Sequence, residues 1–260
     1  LDAELVRREL AASRSQAQEM IGARRVLVGG AVAEKAARQV APGDPIELIG
    51  DGPRFVSRGG EKLAAALERF AVDVDGCRVV DAGSSTGGFT DCVLQAGAGS
   101  VVAIDVGRNQ LHERMRADPR VAVHEQTNVR GLDPAAVGGS GDVVVGDLSF
   151  ISLRTVLDSL IGLTSEQGDL VLLVKPQFEA GKAEADRGRG IIRDPEVWAR
   201  TLTEVCTALE ARGAAIMGAM RSPITGGDGN VEFLVHARRG AEGHDIESVV
   251  AAALAEVEAS

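Results

Sequence analysis

The sequence predicts a doubly wound α/β domain preceded by a small α+β unit, and three observations carry that expectation. From residue 79 onward short, uninterrupted apolar runs alternate with stretches of helical spacing, the pattern of a parallel sheet buried on both faces. A glycine-dense stretch holding Pro53, "GDGPRFVSRGG", separates this pattern from the first fifty residues. At 260 residues the chain is long for one compact domain and short for two of full size. The boundaries that follow are 1–50 for the amino-terminal unit, 51–58 for the linker and 59–260 for the large domain.

The elements follow in order. "LDAELVRREL" and "SRSQAQEMIG" read as two short helices, the second with Ser13 placed to accept from an orphan N–H at its start and Gly22 to close it. Two strands follow, "RRVLVGG" and "DPIELIG". After the linker, "EKLAAALERFAVD" carries apolar residues at helical spacing and should pack on the large domain. Then come the strand "RVVDAGSS", a helix from Phe89, the strand "SVVAIDVG", a helix around "QLHERMRAD", the strands "VAVHEQTNV" and "GDVVVGDLSF", a helix from Leu153 and the strand "GDLVLLVKP". A helix across "DPEVWARTLTEVCTALEARG" has Pro195 in its first turn, where its missing N–H costs nothing. The chain finishes with the strands "AAIMGAMRSP" and "GNVEFLVHARR" and a helix from about Asp245.

Composition narrows the function classes. No run of about 18 uncharged apolar residues occurs, so a spanning segment and a membrane-active lytic role are disfavoured and a cytoplasmic location is expected. Three cysteines, odd in number and far apart, fit reduced thiols, and four histidines show no ligand spacing, so no metal is expected. The net charge of −10 opposes polyanion binding, yet residues 1–50 carry seven basic and seven acidic residues, so the excess lies elsewhere. Arg7, Arg14, Arg24 and Arg25 are candidates for phosphate contacts, with a solvated surface as the bland alternative. Arg58, Arg187 and Arg189 form two further basic clusters with their neighbours. Without an exposed heptad or repeat, a monomer is expected.

Ligands of such sheets bind beyond the carboxyl ends of the strands. There the sequence reads "VVDAGSSTGGFTD": Gly83 lets the chain turn off the strand, and Gly87 and Gly88 let a ligand approach the backbone. The loop lacks both the dinucleotide G-x-G-x-x-G and the Lys-Ser/Thr of a phosphate loop. A leading Asp81 instead suits a cationic, zwitterionic ligand such as S-adenosylmethionine, and Asp105 at the end of the next strand can accept both ribose hydroxyls of an adenosine. Asp147 and Phe150, in "GDLSF", fall over the same crevice. So does Lys175, which follows five consecutive apolar residues, Leu170 to Val174. Lys62 opens the helix after the linker and Glu232 starts the last strand.

Lys62, Asp147, Lys175 and Glu232, in that order, resemble the catalytic tetrad of FtsJ-like ribose 2'-O-methyltransferases. With "VSRGGEKL", "DAGSSTGGFTD", "TNVR", "DLSFISL", "VKPQFE" and "GNVEF", the whole chain resembles the TlyA family, whose members carry an amino-terminal S4 RNA-binding domain. The resemblance implies a Rossmann-like methyltransferase domain that moves a methyl group from S-adenosylmethionine to the 2'-OH of cytidines in ribosomal RNA, in 23S and for some members also 16S. It implies ribosomal subunits as partner and an effect on sensitivity to capreomycin-type antibiotics. Asp81, Gly83, Gly87, Asp105 and Asn128 would line the cofactor site, with Ser84, Ser85, Thr86, Gly88, Phe89, Val106, Val129 and Asp147 beside them. The linker departs from the family: "PRFV" stands where actinobacterial members resemble R-x-W-V, with Phe55 as the apolar anchor and Arg54 displaced by one position. Two roles stay open for Lys175, general base or charged orienter of the ribose oxygen. Phe150 can support a splayed base or pack in the core, and "EAGKAEADRGRGIIRDP" is a candidate lid. A small-molecule substrate, with the front unit serving protein contacts, is the remaining alternative.

Overall fold

The computed structural model describes residues 1–8, 10, 11, 14–50, 53–181, 184, 188–226 and 229–258. The chain divides into two compact units, Leu1–Arg54 and Phe55–Ser260.

In the first unit α1 (Asp2–Arg7) and α2 (Arg14–Gly22) precede β1 (Val26–Val28), β2 (Ala31–Val32) and β3 (Ile46–Leu48). The strands form an antiparallel sheet in the order β2-β1-β3. Sequence reading anticipates two strands here and misses β2, because a two-residue strand has no alternation to detect. The glycine pair Gly29-Gly30, at φ 61° and 78°, makes the turn that folds β2 back on β1. Leu5, Ala17, Ile21 and Val26 are fully or almost fully buried at the centre of this unit. The expected Ser13 cap lies outside the described residues.

The second unit opens with α3 (Gly59–Phe70). Then follow β4 (Arg78–Ala82), α4 (Gly88–Gln95), β5 (Ser100–Ile104), α5 (Glu113–Ala117), β6 (Val121–His124), β7 (Gly141–Gly146), α6 (Leu157–Gly162), β8 (Thr164–Val174) and α7 (Pro176–Glu179). The chain closes with α8 (Pro195–Glu210), β9 (Ala214–Arg221), β10 (Phe233–Arg239) and α9 (Ile246–Glu258). Seven strands align as β6-β5-β4-β7-β8-β10-β9. The expected parallel sheet needs one correction: β10 is antiparallel to both β8 and β9. Strand direction is not encoded in apolar periodicity, so the sequence could not show it.

Burial on both faces explains the continuous apolar run of β8. Leu170, Leu172 and Val174 face a core shared with Leu157, Leu160, Leu202 and Leu209, from α6 and α8. Val171 and Leu173 face the opposite core, with Leu63 of α3 and Phe89 and Val93 of α4. Each such side chain contributes about 1.5–3 kcal/mol by leaving water. α8 begins as anticipated: the Asp194 carboxylate accepts from the Glu196 amide at 2.9 Å and Pro195 fills the first turn.

The expected linker 51–58 is shorter than drawn, and residues 51 and 52 lie outside the described set. From Phe55 the chain already belongs to the second unit: Phe55 is 2% exposed, and the Val56 amide donates to Asp91 at 2.8 Å. The ring of Phe55 covers Gly60, where an added Cβ would lie 2.2 Å from it. No disulfide joins the three cysteines, and burial pushes the Cys206 thiol up to about 12. No helix among the described residues is long and apolar enough to cross a membrane.

Candidate active site

The carboxyl ends of β4, β5, β7 and β8 open on one edge of the sheet, and the loops leaving them build the site. Gly83 leaves β4 at φ 85°, and a Cβ there would meet the main-chain oxygen of Asp147 at 2.8 Å, so only glycine lets these two loops cross. Beyond β5 the Asp105 carboxylate accepts from the amides of Ser85 at 2.8 Å and Gly107 at 2.6 Å, tying its own loop to the one after β4. Between them lies a cavity of about 410 Å³ lined by Gly83, Ser85, Ile104, Asp105, Val106, Gln110, Thr127, Asn128, Val129, Asp147, Leu148, Ser149, Phe150 and Ile151. A smaller recess of about 90 Å³, walled by Ser57, Gly59, Ser84, Thr86, Gly88 and Phe89, shares Gly83, Ser85 and Asp147 with it. Asp147 therefore stands where the two spaces meet.

The larger cavity has two carboxylates and no lysine or arginine in its wall. That charge rejects a phosphate and fits the positively charged sulfonium and ammonium of S-adenosylmethionine; the volume is in the usual range of small-molecule sites. Of the residues expected at a cofactor site, Gly83, Ser85, Asp105, Val106, Asn128, Val129 and Asp147 lie on this wall. Ser84, Thr86, Gly88 and Phe89 wall the smaller recess instead, and two expected cofactor residues line neither space. Asp81 is fully buried beneath the loop, its Oδ2 accepting from the Thr90 hydroxyl at 2.6 Å. Gly87, at φ 94°, starts α4 against Leu111 and Met115 and lines neither space. Both shape the loop from behind: burial above all, and next the charge of Asp147, push the Asp81 carboxyl up to about 7 against the Thr90 hydrogen bond.

Four side chains from distant parts of the chain gather at the same edge as two ion pairs. Lys175, directly after β8, places its Nζ 2.6 Å from Asp147 Oδ1, directly after β7, and 2.7 Å from the Ser149 hydroxyl. Lys62 in the first turn of α3 reaches Glu232 Oε2 at 2.5 Å. Phe233 pairs with Val174 across the strands, which puts Glu232 and Lys175 one step beyond that pair. Lys62, Lys175 and Glu232 are 7%, 9% and 3% exposed, so each charge depends on its partner. Gly226 makes room for Glu232: a Cβ on it would lie 2.3 Å from Oε1.

The arginines proposed for RNA divide. Arg7 is held by Glu4, at 2.5 and 2.7 Å, and Arg14 by Asp2 at 2.9 Å. Hydrogen bonds from Gln18, the Ala3 amide and Arg14 hold the Asp2 carboxyl at about 2. Among the described residues Arg24 makes an open surface pair with Glu34 at 3.0 Å, and Arg25 is hydrogen-bonded to the Ile49 carbonyl at 3.4 Å. Arg58 is exposed at the start of α3, Arg189 is exposed in a turn, and Arg187 lies outside the described residues, as do residues 182, 183, 185 and 186 of the candidate lid. Phe150 is not core: it is 92% exposed, at φ 63°, with its ring centroid 5.3 Å from that of Phe178.

Sequence reasoning missed Ser149, which binds Lys175, and Gln110, Thr127, Leu148 and Ile151, which line the cavity. Ser149 and Leu148 sit inside "DLSF" and could have been flagged by proximity; Gln110 carries no signal, since only the fold brings it to the wall. Among the described residues no group of three or more His, Cys, Asp or Glu side chains is gathered as a metal site requires.

Fold and crevice together define a methyltransferase domain of the S-adenosylmethionine-dependent class behind a small α+β unit. The FtsJ-like methyltransferase family model matches residues 55–239 and the S4 domain model residues 1–46. The chain belongs to the TlyA family of FtsJ-like methyltransferases. It is 50% identical to the 16S/23S rRNA (cytidine-2'-O)-methyltransferase TlyA of Mycobacterium tuberculosis, over 92% of this chain and 89% of that one. It is 37% identical to Hemolysin A of Brachyspira hyodysenteriae, over 86% and 93%. A solved structure of a hemolysin-named protein from Streptococcus thermophilus is 38% identical, with a TM-score of 0.78 over 99% of this chain and 96% of that one. A methyltransferase structure from Listeria monocytogenes, 18% identical with a TM-score of 0.53 over 71% and 100%, shares the fold.

Proposed function

We propose that the protein methylates the ribose 2'-OH of cytidine in ribosomal RNA, in 23S and also in 16S, acting as a single cytoplasmic chain on ribosomal subunits. The observation that carries this reading is the Lys175–Asp147 pair at the junction of a cation-suited cavity and an open recess. The relatives named above supply the substrate: the TlyA enzyme of M. tuberculosis is a 16S/23S rRNA (cytidine-2'-O)-methyltransferase.

S-adenosylmethionine supplies an activated methyl group on a positively charged sulfur. Asp105 and Asn128 would hold its ribose end, Val106 and Val129 would flank the adenine, and the turn at Gly83 to Ser85 would receive its amino-acid end. Lys175 pairs with Asp147 and donates to Ser149, and its amino group would also meet the ribose oxygen. Held so, the oxygen is aligned for in-line attack, and alignment of this kind can supply about 7–11 kcal/mol of the barrier reduction. As the new O–C bond forms the methyl group's bond to sulfur breaks, and the hydroxyl proton would pass to Lys175 while Lys175 gives one of its own protons to the Asp147 carboxylate. Lys62 and Glu232 close the back of the site and fix each other. Phe150, exposed beside Phe178, offers a face on which the displaced base can stack. The S4 unit would hold the RNA by its phosphates, which positions without reading sequence.

The test is transfer of tritiated methyl groups to isolated ribosomal subunits, followed by mapping of the modified nucleotide. A 2'-O-methylcytidine is expected with the wild-type protein. Lys175→Ala should lower transfer by at least about 100-fold while S-adenosylmethionine still binds, the loss expected when a positioning or proton-transfer group is removed. Substantial transfer by that variant removes Lys175 from the mechanism, and no transfer to either subunit by the wild type removes the substrate.

A further inference from the structure

Asp147 and Lys175 end adjacent parallel strands, and each is followed by its own loop. The ion pair between them and the contact of Lys175 with Ser149 involve residues of the cavity wall, Asp147 and Ser149. A second set of contacts joins the two loops through a residue outside both spaces. Glu179, the last residue of α7, is 3% exposed and lines neither space of the site. Its carboxylate accepts from the Ser152 hydroxyl at 2.5 Å, the Leu153 amide at 2.7 Å and Arg154 Nε at 3.3 Å. Arg154 also donates to the Glu179 main-chain oxygen at 2.8 Å and pairs with Glu204 of α8 at 2.7 Å. A carboxylate buried this deeply is costly unless its oxygens are satisfied, and all of its donors come from the loop that carries Asp147. On its own side it is tied to Lys175 through one short helical turn, in which the Glu179 amide donates to the Lys175 carbonyl at 3.3 Å.

We infer that Glu179 is the positioning residue of this site, a clamp that sets the distance between the Asp147 loop and the Lys175 turn without touching either substrate. The inference rests on the reading that these two residues carry methyl transfer. It requires reach and hydrogen-bond acceptance rather than charge at the catalytic centre. Glu179→Asp keeps the charge but withdraws the oxygens by about 1.5 Å, one C–C bond. Glu179→Gln keeps the length and still accepts from Leu153.

The experiment measures transfer to ribosomal subunits, S-adenosylmethionine affinity by calorimetry and hydrogen exchange of residues 147–156, for Glu179→Asp, Glu179→Gln and Ser152→Ala in the full chain. Misplacement by about 1 Å can cost about 100-fold, so Glu179→Asp should lose roughly 10- to 100-fold in kcat, with KM and the cofactor Kd changed less than about threefold. Glu179→Gln should recover at least about a third of the wild-type kcat. Ser152→Ala, a smaller lesion on the opposite loop, should lower kcat by about threefold alone and by nothing further in the Glu179→Asp background, as expected of two groups in one contact. Exchange at the Leu153 amide should rise in Glu179→Asp and not in Glu179→Gln. A wild-type kcat in Glu179→Asp, equal losses in the Asp and Gln variants, or additive losses with Ser152→Ala each overturn the clamp. Exchange that responds as stated, in a wild-type protein that transfers nothing to subunits, overturns the substrate reading and leaves the clamp standing.

Discussion

Asp81 shows what a motif can and cannot tell. Its place at the end of β4 and ahead of the glycine loop is legible, and the inference that it touches a cationic ligand follows from position alone. What position cannot show is that the loop closes over it: the side chain is fully buried, Oδ2 is satisfied by Thr90, and Oδ1 has no hydrogen-bond partner. With its carboxyl pushed up to about 7, chiefly by burial, the folded protein prefers the protonated form. Its contribution to stability is therefore fully present below the unfolded value of about 4 and is lost as pH rises through about 7, by about 1.4 kcal/mol per pH unit across that window. Asp81→Asn, which cannot ionise, should match the wild type in melting temperature near pH 4 and exceed it by several degrees at pH 8. Calorimetry at the two pH values decides it, and a difference that does not change with pH removes the buried ionisation. Lys175 is the opposite case, since an ammonium directly after five apolar residues is a local anomaly that sequence displays openly.

At the scale of elements, apolar runs and helical spacing marked nearly every strand and helix of the large domain. The features that escaped are those with no pattern of their own: the two-residue β2, the four-residue α7 and the direction of β10. The glycines of "SRGGEKL" stand at the boundary expected between linker and large domain, and they make the contact that seats α3. Phe55 lies on Gly60, and Gly88 at the start of α4 is so close that a Cβ on it would sit 2.2 Å from the Ser57 hydroxyl and 2.9 Å from the Gly60 amide. Gly60→Ala must displace the Phe55 ring, an overpacking that costs about 1–3 kcal/mol. It also lifts the turn that carries Lys62, so transfer should fall more than stability does. In a Phe55→Ala background the same change should cost less than about half as much, because the ring that opposes the new methyl is gone. Additive losses in denaturant melts of the two single variants and the double would place the conflict elsewhere.

Net charge misleads about the molecule as a whole. At −10 the chain looks unsuited to a polyanion, and only the separate tally of residues 1–50, seven basic against seven acidic, leaves room for an RNA-facing unit. The sequence displays the arginines but not their partners, and the partners sort them. Arg14 is joined to the buried Asp2, so replacing it disturbs the unit itself, and Arg7 is already held by two hydrogen bonds to Glu4. Among the described residues Arg24 pairs with Glu34 on open surface, the side chains 66% and 62% exposed, where such pairs contribute about 0–1 kcal/mol. Arg24 and its neighbour Arg25 are therefore the pair with which to test RNA docking. The double variant Arg24→Ala with Arg25→Ala should melt within about 2 °C of the wild type and bind S-adenosylmethionine unchanged, since the cofactor cavity is built entirely from the second unit. Its kcat/KM for ribosomal subunits should fall at least about tenfold at moderate salt, and the slope of log affinity against log salt should lessen by about 2, one for each lost phosphate contact. An unchanged slope would assign these arginines to the solvated surface, and the weight of RNA docking would then rest on the basic clusters of the methyltransferase domain around Arg58 and Arg189.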